Sequence, residues 1–177
     1  MDGQTTLLLS HEIEGSDVVP MAHAESAFSY TALSRRDVRS LMFHLLYSLE
    51  VRDYEDTVDL VIENFNQGFD LDIPKDSEVK TMVEAIVNSR DSLDALYIPF
   101  LDNWRFERIS VSTRLILRLA IWELVNTQTD TSIIINEAVE LSKCFAEHDA
   151  YRFINGILDS VAHQLGRVIL PLPQEVG

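Results

Sequence analysis

The chain has a single cysteine, Cys144, so no disulfide can close within it and metal sites built on several thiolates are excluded. A reducing, cytoplasmic setting is the natural one. Its six glycines are scattered, and none is grouped before a helix in the way that cradles a phosphate, so neither common nucleotide motif is present. No run approaches the ~20 apolar residues a membrane helix requires, and the opening "MDGQTTLLLSHEIEGSD" lacks the basic flank and long apolar stretch of a signal peptide. Positive charge is also scarce, with 14 Lys and Arg against 29 Asp and Glu and a formal net charge of −15. Such a surface repels phosphates at long range unless its cations are gathered locally, so their distribution matters more than their sum.

Residues 1–33 are rich in small polar residues, hold five carboxylates and no Lys or Arg, and show no sustained period. They read as a flexible acidic extension. From Ser34 onward the pattern changes. Val38, Leu41, Met42, Leu45, Leu46 and Leu49 recur at steps of three and four, which predicts an amphipathic helix capped by Ser34. A second helix is expected over Tyr54 to Gln67, ended by Gly68, and a long third segment over Asp76 to Leu101, disturbed at its end by Pro99. Ser110 then caps a helix over Val111 to Asn126 that is apolar over much of its girth, as befits a central helix surrounded by others. A fifth helix starts near Ser132.

In "RFINGILD" the step Asn155-Gly156 between apolar pairs is a strong hairpin signal. Phe153, Ile154, Ile157, Leu158, Val161, Ala162 and Leu165 nevertheless follow steps of one and three, which is a helical stripe. The pair therefore belongs inside a last helix, at a propensity cost of roughly 1 kcal/mol or more. The expected reason is packing, with Gly156 admitting a close backbone and Asn155 bonding a neighbouring segment near Asn136. Six helical segments and no strand give an all-α bundle over residues 34–166, with an irregular tail at 167–177.

Signs of catalysis are few. His11, His23, His44, His148 and His163 are dispersed and form no chelating set with Cys144, so no metal or other cofactor is expected. Cys144, beside Phe145, reads as a packed, inert thiol. Two clusters stand out instead. In "SRRDVR", Arg35, Arg36 and Arg39 share one side of the first helix, a guanidinium patch able to bind phosphates and stack on bases, or else a set of ion pairs with nearby carboxylates. In "EHDAYRF", Tyr151, Arg152 and Phe153 set two aromatics around one cation, a combination that suits unstacked RNA bases. There Asp149 or His148 also offers a helix cap, with Phe153 in the core.

Three stretches in order, "SRRDVRSLMFHLLYSLEV", "TRLILRLAIWEL" and "IIINEAVELSKCFAEHDAYRFINGILDSVA", closely resemble the NusB family of bacterial transcription antitermination factors over about residues 34–166. The resemblance implies two packed three-helix subdomains, no catalytic activity and binding of boxA-type RNA with the small ribosomal protein NusE. That pair acts in an RNA polymerase antitermination complex supporting processive transcription of ribosomal RNA operons. Residue by residue, it assigns Arg35, Arg36, Arg39, Tyr151, Arg152 and Phe153 to RNA, and Tyr47, Thr113 and Leu117 to the protein partner. The competing reading is a helical interaction module of the same complex with weak or no RNA binding of its own. A homodimer hiding the arginine patch is compatible with either.

Overall fold

The computed structural model describes residues 29–102 and 105–167. They form seven α-helices: α1 (Arg35–Glu50), α2 (Val58–Phe69), α3 (Glu78–Asn88), α4 (Arg90–Tyr97), α5 (Val111–Asn126), α6 (Thr131–Phe145) and α7 (Ala150–Gln164). No strand occurs among the described residues. Helices α1 to α3 pack on one another, as do α5 to α7, giving the two expected three-helix groups. Helix α4 joins them by lying on α5 and α7. None of the helices is long and apolar enough to cross a membrane.

Helix α5 is the shared centre. Ten of its residues are buried, from Thr113 to Leu124, and they include Arg118 and Glu123 among the aliphatics. Its partners present narrower faces: Leu41, Met42, Leu45, Leu46 and Leu49 from α1, Ile134, Ile135, Ala138 and Leu141 from α6, and Ile154, Ile157, Leu158 and Val161 from α7. The helix ends are set locally. Ser34 accepts from the Asp37 N–H at 3.2 Å while the Asp37 carboxylate accepts from the Ser34 N–H at 3.0 Å, closing a capping box at the start of α1. Asp37 thus interrupts the basic cluster for a structural reason. Ser110 caps α5 in the same way by accepting from the Thr113 N–H.

Two expected boundaries move. The second helix begins at Val58, where Thr57 accepts from the Leu60 N–H at 3.2 Å, because Asp53 and Tyr54 take left-handed conformations at φ 51° and 58°. Those two residues close α1, with the Tyr54 N–H donating to the Leu49 carbonyl at 2.9 Å. Gly68 lies within α2, and left-handed Asp70 ends it. The long third segment is two helices. At Ser89 the hydroxyl donates back to the Ala85 carbonyl at 2.5 Å and the backbone leaves helical geometry, so α4 departs in a new direction. Of the expected extension, residues 1–28 lie outside the described residues, while Tyr30 and Leu33 pack against the core. At the other end Arg167 donates to the carbonyls of Thr127 and Thr129, fastening the end of α7 to the loop between α5 and α6.

The two helix groups are tied by a buried ionic cluster. The Arg118 guanidinium donates two hydrogen bonds to Asp94 at 2.8 and 2.7 Å and one to Glu50 at 2.8 Å, so it bridges α1, α4 and α5. Tyr54 donates its hydroxyl to Glu50, and Arg90 lies 4.7 Å over the Tyr54 ring. Burial pushes the Tyr54 phenol up, with help from the Glu50 charge, to about 12. Burial alone would raise the Glu50 carboxyl, but the hydrogen bonds from Tyr54 and Arg118 and the charges of Arg118 and Arg114 outweigh it and hold it below the usual range. Replacing Arg118 by Met strands two carboxylates without their cation and should destabilise the fold by about 3–5 kcal/mol in denaturant titrations. Because the folded pKa of Glu50 is depressed, its contribution is complete above the unfolded carboxylate pKa and is lost as pH falls through the folded value. A Glu50→Gln chain should therefore lose less stability than the parent between about pH 5 and 3.

Candidate nucleic-acid interface

The arginines at the start of α1 divide into different environments. Arg35 is exposed and forms no ion pair among the described residues. Arg36 is exposed but donates two hydrogen bonds to Glu137 on α6, at 3.1 and 2.8 Å. The hydrogen bonds and charge of Glu137 raise its pKa further, so it is a permanent cation with a standing partner. Arg39 is turned inward, 9% exposed, and donates to both oxygens of Glu123 on α5 at 2.8 and 2.7 Å. Its helical position explains this, since it lies on the buried face of Met42 and Leu46, one and two turns before them. Of the three arginines, Arg36 and Arg39 form the ion pairs weighed as one alternative, and Arg35 is left exposed.

At the start of α7, Arg152 is exposed and its guanidinium carbon lies 5.5 Å from the Tyr151 ring centre, with its Nε donating to the Tyr151 hydroxyl at 3.0 Å. Lys143, at the end of α6, approaches the same ring to 5.9 Å and is paired with Glu140 at 2.7 Å. Arg36 reaches Glu137 on α6 and also feels the charge of Glu140, the partner of Lys143, so the start of α1 lies near the last turns of α6. Lys143 and Arg152 thus flank the Tyr151 ring across α6 and α7, and Arg36 on α1 stands beside the α6 carboxylates Glu137 and Glu140, the latter holding Lys143. Lys143 was not singled out in the sequence, where its local neighbours are Cys144 and Glu140; only the packing of α6 on α7 brings it to Tyr151. Cys144 is exposed on this outer side and is not packed, because Phe145 takes the inward place.

Phe153 is half-buried and packs against the core. It also lines a cavity of about 490 Å³ between the starts of α5 and α7, together with Arg108, Ser110, Thr113, Glu147 and Ala150. Glu147 accepts from the hydroxyls of Ser110 and Thr113 at 3.0 and 3.3 Å. Neither His148 nor Asp149 caps α7 through its side chain; Asp149 has no such bond, and His148 is exposed with its ring nitrogen 3.4 Å from the Asp149 carboxylate.

Among the residues assigned to a protein partner, Tyr47 is 40% exposed and its ring lies 6.1 Å from Phe43, which stacks on Phe145 at 4.8 Å. Thr113 is buried with its hydroxyl on Glu147, and Leu117 is fully buried in the core. Only Tyr47 of the three presents substantial surface. No group of three His, Cys, Asp or Glu among the described residues is placed to hold a metal.

The packing expectation for Asn155 and Gly156 is overturned. Both are exposed on α7, and a Cβ built at Gly156 meets nothing within 4 Å. Asn155 donates to Asp159 one turn along its own helix at 3.1 Å and does not reach a neighbouring segment.

The model of the NusB family matches residues 36–163. The transcription antitermination protein NusB of Staphylococcus haemolyticus is 35% identical over 129 residues, which cover 73% of this chain and 99% of that protein. That of Staphylococcus aureus strain RF122 is 33% identical over 130 residues, 73% of this chain and 98% of its own length. Among solved structures, Thermotoga maritima NusB superposes with a TM-score of 0.62 at 30% identity, covering 75% of this chain and 92% of that one. The solution structure of Aquifex aeolicus NusB shares the fold at 19% identity, with a TM-score of 0.58, covering 80% of this chain and 97% of that one. An all-helical architecture with two three-helix groups, and a match through α1, α5, α6 and α7 together, make this chain a member of the NusB family of transcription antitermination proteins, which are not enzymes.

Proposed function

We propose that this protein binds boxA-type single-stranded RNA jointly with the small ribosomal protein NusE, within an RNA polymerase antitermination complex that supports processive transcription of ribosomal RNA operons. The observation that carries this reading is the Tyr151 ring flanked by Lys143 and Arg152, with Arg36 beside the α6 carboxylates, in an otherwise acidic molecule, and these four residues are the proposed track of the strand. Cations spaced by an aromatic ring match the alternation of phosphates and unstacked bases along a single strand. Phe153 and Arg35 flank the track. Arg39, locked to Glu123, supports the interface by holding α1 on α5 and is not assigned a phosphate.

One feature favours modest intrinsic affinity. Arg36 and Lys143 each hold a carboxylate, so an RNA phosphate must displace Glu137 or Glu140 before it gains the cation. The ribosomal partner would then supply much of the binding free energy, with Tyr47 as its exposed contact on α1.

Binding of a boxA-like RNA strand across a salt series, with and without the partner, tests the reading. Each phosphate contact should contribute about −0.7 to the slope of log affinity against log salt, so Arg152→Ala should weaken binding and flatten the slope by about that amount. Loss of sequence preference even with the partner present would reject RNA recognition. Glu137→Gln should act in the opposite direction, raising RNA affinity at low salt by releasing Arg36. Tyr47→Ala should reduce association with the partner while leaving binding of RNA alone unchanged; a reversed pattern would refute the assignment.

A further inference from the structure

A glycine in the interior of a helix loses more conformational freedom on folding than any other residue, and it persists where a backbone needs positive φ or where something comes too close for a Cβ. Neither reason is found among the described residues for Gly156. It lies in the middle of α7, in helical conformation, and the space its Cβ would occupy is open. Asn155, another weak helix former, stands beside it with only Asp159 as side-chain partner, leaving its carbonyl oxygen and one amide hydrogen to solvent. What lies over that space is set by helix geometry. Side chains lean toward the N-terminus of their helix, so the gap at Gly156 opens over the turn that carries Arg152 and Phe153. Arg152 precedes Gly156 by four residues and shares its face.

We infer that Gly156 is a close-approach point for the RNA strand, where sugar or base comes into van der Waals contact with the α7 backbone just beyond Arg152, and that Asn155 offers its side-chain carbonyl oxygen and its remaining amide hydrogen to the same nucleotide. This rests on the RNA reading above and extends the track by one turn along α7. RNA is the occupant that the surroundings favour. The gap continues directly from the exposed guanidinium of Arg152 and the Tyr151 ring, and Asp159, the carboxylate on this face, is engaged by the Asn155 amide. Gly68 provides a contrast. It too has open space at its Cβ, but it lies in the last turn of α2 beside left-handed Asp70, where a helix tolerates glycine for reasons of its own ending.

The test separates stability from binding in the full-length chain. Gly156→Ala should raise the denaturant midpoint, because alanine is the better helix former, and at the same time weaken binding of a boxA-like RNA strand by about three- to tenfold, since a small loss of close contact forfeits much of the van der Waals attraction there. The salt slope should stay unchanged, as no phosphate contact is removed. Gly156→Gln should weaken RNA binding more than Ala does, while Gly68→Ala should leave RNA binding unaltered. A Gly156→Ala chain that binds RNA as the parent does overturns the inference while the RNA reading stands. Unchanged RNA binding with weakened association to the ribosomal partner overturns it too, by assigning the gap to a protein. A parent chain that binds no RNA with the partner present would remove both.

Discussion

A guanidinium buried in a helical core has to be matched there, and the matching of Arg118 determines how the two halves of this molecule meet. The cation stands on α5, the helix around which the rest is packed, and its two carboxylates come from opposite sides, Glu50 from the end of α1 and Asp94 from α4. Hydrophobic contact alone would allow the α1 to α3 group to slide or rotate against α5, since aliphatic packing is non-directional. A planar donor held by two oxygens of Asp94 and one of Glu50 permits one arrangement. Asp53 and Tyr54 are part of the same device, because their left-handed turn brings the Tyr54 hydroxyl back to Glu50. That turn is strained for residues with side chains, and the bonds it delivers offset the strain.

The same matching governs the interface. In a chain with a net charge of −15, a cation facing a helix neighbour readily finds a carboxylate. Arg39 with Glu123 and Arg36 with Glu137 hold α1 against α5 and α6 respectively, at 11% and 54% side-chain exposure. The buried pair is fixed, since separating it would strand charges in the core. The exposed pair contributes little to stability and can exchange its partner for another anion. Burial therefore sorts two arginines three residues apart into a structural role and an available one. Asp37 follows a related logic, since its carboxylate completes the cap of α1 and stands where the positive end of the helix favours an anion.

Periodicity made most of the fold legible: the capping serines at 34 and 110 placed the starts of α1 and α5, α5 has the expected bounds, and the apolar steps from Phe153 to Leu165 identified α7 as a helix. The break at Ser89 was hidden because Val83, Ile86, Leu93 and Leu96 keep helical spacing across it, and a back-bonded serine leaves no compositional mark. The start of α2 was missed since nothing in "RDYED" announces two successive left-handed residues that exist to serve Glu50. At the site, types were readable and directions were not. The "SRRDVR" cluster shows three arginines, but the burial of Arg39 depends on an acid 84 residues away, and Lys143 joins Tyr151 only through the packing of α6 on α7. Resemblance to a family carries over positions, and Thr113 and Leu117 show that a position need not be a surface.

Thr113 and Phe153, assigned to protein and RNA respectively, line one cavity between the starts of α5 and α7. Glu147 links its walls. Its own backbone and the hydroxyls of Ser110 and Thr113 hold its carboxyl below the usual range against the opposing effect of burial, so it is an anion anchored at the cap of α5. A protein pressing on the start of α5 meets that carboxylate, and an RNA base reaching Phe153 meets the helix that begins three residues after it. Coupling between two ligands requires only that each change what the other encounters, and it is reciprocal when it exists. Here the shared element is a single carboxylate on a loop of four residues between α6 and α7. Were a protein and an RNA to bind at these two helix starts as proposed, both would meet the same carboxylate, anchored at the cap of a helix that the Arg118 cluster fixes against α1 and α4.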